Sequence, residues 1–162
     1  MFDVLVYLYE NFPALARTGS DGDAPDADAL ARKLSAAGFD KEEITDALAW
    51  LQGLAQVTRE SQSVREASDR TFRIYPGFER ERLGTEGVAF LAFLESAGQI
   101  SGAQREIIIE RALAVGQQDG EWPVSLAKLK LIVLMVLWSQ QADIDVLLLE
   151  ELLDDGDDRL LH

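Results

Sequence analysis

Apolar side chains recur at helical spacing almost from the first residue: Phe2, Leu5, Leu8, Tyr9 and Phe12 share a face, and Pro13 discourages continuation. The spacing predicts a first helix over residues 2 to 12. Residues 18 to 28, Thr-Gly-Ser-Asp-Gly-Asp-Ala-Pro-Asp-Ala-Asp, are small, acidic and rich in turn formers, the composition of a mobile surface loop. A second helix is expected next, with Leu30 and Leu34 inward and Gly38 at its end. Asp40 and Glu43 have capping-box spacing. They open a third helix whose apolar face is Ile44, Ala47, Leu48, Leu51 and Leu54.

The pattern then changes. Val57-Thr58-Arg59 and Thr71-Phe72-Arg73-Ile74-Tyr75 have strand-like composition and partial alternation, separated by the polar stretch from Glu60 to Arg70, which predicts a small antiparallel hairpin. Pro76-Gly77 and Gly84 punctuate the chain, and everything beyond reads as helical. Val88, Leu91 and Leu94 mark a fourth helix ending near Gly98. Ser101 and Gln104 form a capping box for a fifth, which carries Ile108, Ala112 and Val115 and stops in the loop from Gly116 to Pro123. A sixth helix, from about Ser125, is apolar on nearly every side after Lys130, so its neighbours must wrap around it. A seventh, from Asp143, is expected to bury Val146, Leu149, Leu152 and Leu153.

The fold expected is therefore mainly α: an N-terminal three-helix, winged-helix-like unit with a small β-hairpin over residues 1–82, followed by a C-terminal four-helix bundle-like subdomain over residues 83–162. At 162 residues and 48% hydrophobic content, the chain has enough apolar mass for a core of its own.

Charge narrows the function classes. Twenty-nine Asp and Glu stand against 15 Lys and Arg, a formal net charge of −14. This acidity opposes binding to nucleic acid or anionic membrane, since each phosphate contact needs a cation. The absence of Cys excludes disulfides, thiolate zinc sites and Cys nucleophiles. The first ten residues carry acids where a signal peptide needs bases, and the longest apolar stretch, Leu131 to Trp138, is far shorter than the roughly 20 residues of a membrane span. Both point to a cytoplasmic protein with no membrane association.

Three helices followed by a hairpin invite a DNA-binding reading, with the short turn Gly38-Phe39-Asp40 between helices two and three. The first turn of the third helix, which would enter the major groove, instead displays Asp40, Glu42, Glu43 and Asp46 against Lys41 alone. The wing region is better supplied, through Arg59, Arg65, Arg70, Arg73, Arg80 and Arg82, but Glu60, Glu66, Asp69, Glu79 and Glu81 lie among them. Nucleic acid is thereby disfavoured as a partner, with those six arginines as its candidate contacts.

Candidate chemistry is sparse. The acidic segment from Asp21 to Asp28 begins like a calcium loop, yet Pro25 occupies the third ligand position and no Gly or terminal Glu is in register. The Asp154 to Asp158 cluster reads as a solvated segment. The single histidine is His162, the last residue, where no surrounding structure is expected to hold it in a reactive geometry, and Gly84-Thr85-Glu86-Gly87 is too short for a phosphate loop and lacks the Lys. No catalytic motif, cofactor site or metal site is expected. Of the aromatic residues, Trp122, in a Gly-Glu-Trp-Pro turn, and Tyr75 are the candidates for contact with a partner; Trp50 is expected to be partly exposed.

Several collinear segments carry a family resemblance: Met1-Phe2-Asp3-Val4-Leu5-Val6-Tyr7-Leu8-Tyr9-Glu10, Ala37-Gly38-Phe39-Asp40-Lys41-Glu42-Glu43-Ile44 leading to Ala47-Leu48-Ala49-Trp50-Leu51, Arg73-Ile74-Tyr75, Phe90-Leu91-Ala92-Phe93-Leu94-Glu95, Ile109-Glu110-Arg111-Ala112-Leu113 and Leu131-Ile132-Val133-Leu134-Met135-Val136-Leu137. Together with the terminal Leu161-His162 they make the chain resemble the bacterial Smg protein family over its whole length. The resemblance implies a bacterial, cytoplasmic protein and assigns no activity or site. Taken with the acidic exterior and the lack of a chemical site, the sequence points to a non-enzymatic regulatory or adaptor protein that contacts another protein.

Overall fold

The computed structural model describes residues 1–13, 27–63, 76–140, 144 and 146–153. Among them are seven helices: α1 Phe2–Asn11, α2 Ala27–Ala36, α3 Lys41–Ser63, α4 Gly77–Ser96, α5 Gly102–Asp119, α6 Leu126–Ser139 and α7 Val146–Leu153. Local chemistry accounts for most of their ends. The Phe12 N–H closes the last turn of α1 on the Leu8 carbonyl at 2.9 Å. At the start of α3 the Glu43 side chain accepts from the Asp40 N–H at 3.3 Å, the acidic arm of the expected box. Ser101 and Gln104 make both arms of theirs: Ser101 Oγ accepts from the Gln104 N–H at 3.1 Å, and Gln104 Oε1 from the Ser101 N–H at 2.8 Å.

The helical reading needs one large correction. Val57, Thr58 and Arg59, expected in a strand, lie inside α3, where the Thr58 hydroxyl donates to the Leu54 carbonyl at 2.8 Å and Arg59 Nε to the Ala55 carbonyl at 3.3 Å. No Gly, Pro, Asn or Asp interrupts residues 54 to 63, so the helix continues, and Val57 packs against the core from α3. Tertiary packing thus overrides a weak β-propensity. With its first strand helical, the hairpin cannot form, and the winged-helix-like description falls with it. Its second strand, residues 71–75, lies outside the described residues, as do the two acidic segments Asp21 to Asp26 and Asp154 to Asp158. No strand occurs among the described residues.

The second correction concerns α7. Val146 is 67% exposed and Leu153 40%, whereas Leu148 and Leu152 are buried. In a helix with five leucines and one valine in eight residues, periodicity cannot choose the inward face; contact with α6 chooses it.

A continuous cluster of buried side chains runs from Val4 in α1 to Leu152 in α7. Helix α6 lies at its centre, touching α1, α4, α5 and α7, with Leu129 and every residue from Ile132 to Leu137 buried. Helix α3 packs on α5 and on α1, and α2 on α3. Tyr9 meets Trp138 edge-on at 6.1 Å, joining α1 to α6. Two buried cations are integrated into this frame. Lys130 Nζ reaches Glu151 Oε1 at 2.8 Å and so ties α6 to α7. Arg105 Nη1 donates to both oxygens of Glu95, at 2.8 and 2.7 Å, linking α5 to α4. Burial of Arg105 works against its charge, but the hydrogen bonds and attraction of Glu95 and Glu106 outweigh it and raise its pKa above the ordinary arginine value. No helix of the described residues is long and apolar enough to cross a membrane.

Candidate functional site

Helix α4 is broken at Gly84, whose φ of 75° and ψ of 162° lie in a region open essentially to glycine. An interrupted helix leaves carbonyls without helical partners. The Arg82 carbonyl, just before the break, accepts from the Val124 N–H at 2.8 Å and so holds the turn between α5 and α6 against α4. Pro123 sits on the same break: a Cβ added to Gly84 would lie 3.2 Å from Pro123 Cβ.

This anchoring fixes Trp122, whose peptide bond to Pro123 is cis. The six-membered ring of the indole lies against Gly116 in α5, where an added Cβ would stand 2.8 Å from Cε3 and closer still to two other ring carbons. Over the Trp122 ring is the Arg82 guanidinium, 4.8 Å from its centroid; the same guanidinium is 6.0 Å from the centroid of Phe78, one helical turn earlier. Trp122 is 38% exposed and Phe78 54%, and Arg82 is exposed between them. No carboxylate among the described residues makes an ion pair with Arg82. The result is a layered aromatic–cation–aromatic surface whose indole is held in place by backbone on one side and by a cation over its ring.

Of the partner-contact candidates, Trp122 is exposed and Tyr75 lies outside the described residues. Trp50 is buried instead of partly exposed: its Nε1 donates to the Arg111 carbonyl at 3.3 Å, so its polar tip is satisfied inside the core. Of the six arginines, Arg65, Arg70 and Arg73 lie outside the described residues. Arg59 is exposed near the end of α3, and Arg80 and Arg82, two positions apart on α4, point to different sides of that helix. The residues the sequence reading did not single out are Phe78 and Gly116. Phe78 and Arg82 show a legible i, i+4 spacing. The approach of Gly116 to Trp122 is set by the turn between them and has no signature in sequence. Among the described residues no group of three or more His, Cys, Asp or Glu is placed to hold a metal ion.

Comparison with known proteins adds a kinship. Residues 1–162 match the family described as protein of unknown function (DUF494). The chain is 52% identical over 162 residues to a protein Smg homolog of Bordetella petrii, covering the whole of both chains. It is likewise similar, with full coverage of both chains, to the Smg homologs of Herminiimonas arsenicoxydans, at 52% over 168 residues, and Leptothrix cholodnii, at 47% over 162. No solved structure matches it.

Proposed function

The chain belongs to the DUF494 family of Smg homologs, and from that starting point we propose that it is a non-enzymatic cytoplasmic adaptor that works by binding another protein through the surface formed by Phe78, Arg82 and Trp122. The observation that carries this reading is an indole left 38% exposed yet packed against Gly116 and covered by the Arg82 guanidinium. Trp and Arg dominate the energetics of protein interfaces, and a side chain ordered before binding loses little entropy on docking. The absence of Cys and the single His162 support a role without cysteine- or histidine-based catalysis. The net charge of −14 supports a protein partner over a nucleic acid.

The test is affinity capture of the tagged protein from bacterial lysate at near-physiological salt, with and without nuclease, using the native chain, Trp122→Ala and Gly116→Ala. A stoichiometric protein that survives nuclease and is lost with both variants is the expected result, because Gly116→Ala displaces the indole without removing it. Acrylamide quenching reports that displacement as increased access to Trp122. Capture undiminished in Trp122→Ala, or abolished by nuclease, would overturn the reading.

A further inference from the structure

On another part of the surface, the exposed side of α1 borders an open cleft of about 480 Å³. Its lining comprises Asp3, Val6, Tyr7 and Glu10 from α1, Phe39 from the turn before α3, Ala127 and Leu131 from α6, and Leu152 and Leu153 from α7. None of the residues around Trp122 contributes. The four α1 positions follow i, i+3, i+4 and i+7, so they form one stripe of the helix. Tyr7 is steadied edge-on by Phe39 at 5.3 Å. Leu153, 40% exposed, leaves aliphatic surface open to water at the other side.

The charged groups of the lining are confined to the two ends of the α1 stripe. Asp3 and Glu10, both exposed, stand seven residues apart, about 10 Å along the helix axis. Neither makes an ion pair with a Lys or Arg of the described residues. The cleft therefore offers apolar side chains between two carboxylates that no Lys or Arg of the described residues neutralises. A second copy of a chain with a net charge of −14 is a poor occupant, and an anionic lipid surface is worse. What the cleft complements is a cationic, amphipathic segment.

We infer that this cleft is a docking groove for an amphipathic helix of another protein, with apolar side chains on one face and Lys or Arg residues about seven positions apart. Laid along α1, such a helix places its cations opposite Asp3 and Glu10, because the two helices share one rise per residue. Its apolar face meets Val6, Tyr7, Phe39, Leu131 and Leu153, the helix-in-groove mode of recognition. The inference extends the adaptor reading to a second surface and shares with it only the premise that this protein acts by binding.

The probe is a fluorescein-labelled 18-residue model helix with Leu at i, i+3, i+4 and i+7 and Lys at heptad spacing, titrated by anisotropy against the full chain. The same helix with Glu for Lys, and a scrambled peptide of the Lys composition, serve as controls. Saturable binding of the Lys helix is expected, weakening as salt rises and exceeding that of both controls. The variant Asp3→Asn with Glu10→Gln should weaken it roughly three- to tenfold, as should Leu153→Lys. The charge-matched pair Glu42→Gln with Glu86→Gln, outside the cleft, should have a smaller effect. Trp122→Ala should leave the affinity unchanged, which separates failure here from failure at the Trp122 surface. Equal binding of the scrambled peptide, indifference to the Asp3 and Glu10 changes, no saturable binding, or a dimer at the probe concentrations that dissociates with Leu153→Lys would each overturn the inference.

Discussion

Gly53 and Arg111 show how a single contact reverses a local rule. Gly53 lies in the middle of α3, where alanine would ordinarily stabilise the helix by about 1 kcal/mol. Here an added Cβ would run into the Arg111 guanidinium, with Cζ only 3.0 Å away. That guanidinium is nearly buried and donates to the Trp50 carbonyl at 3.4 Å, while Trp50 Nε1 donates back to the Arg111 carbonyl. Hydrogen bonds from a charged group contribute about 1.5–3 kcal/mol, more than the propensity gain. Gly53→Ala is therefore expected to lower stability by about 0.5–2 kcal/mol, read as a lower urea midpoint. A rise in the midpoint would mean that Arg111 relocates freely.

At the scale of the element, the helix starts at Asp40, Ser101 and Ser125 were read correctly, while several other ends were not. The Ser101–Gln104 box is present in both arms because its partners lie three residues apart in one chain and need no tertiary help. Ser101→Ala should destabilise the protein by about 1 kcal/mol with an unchanged denaturant slope. The far end of the same helix is less local: α5 runs on past Gly116 and stops at Gly120, in a left-handed conformation, so the expected stop at Gly116 came too early. Gly116 is retained inside the helix because Trp122 rests on it.

At the scale of the whole molecule, α6 is the central element, packed against α1, α4, α5 and α7. Its buried residues belong to the same cluster as Leu8 in α1 and Leu54 in α3. Leu134→Ala and Leu8→Ala should each cost about 2–5 kcal/mol, since both side chains are fully buried. Both should shift one transition, with far-ultraviolet circular dichroism and intrinsic tryptophan fluorescence coincident. Two separated transitions would show instead that the halves on either side of residue 82 unfold independently.

The helical class, the presence of seven helices, the Ser101–Gln104 box, one arm of the Asp40–Glu43 box and the central place of α6 were legible in sequence, because each depends on residues close together along one chain. Three features were not. Residues 57–59 joined α3, the inward face of a leucine-rich α7 was chosen, and Trp50 was buried, with Gly116 brought under Trp122. Each depends on which helix lies opposite, on the contacts of α3 with α5, of α7 with α6, and of the Trp122 turn with the break at Gly84. Periodicity states that a segment has an apolar face; only tertiary packing decides what meets that face, and so which side chains remain at the surface to be bound.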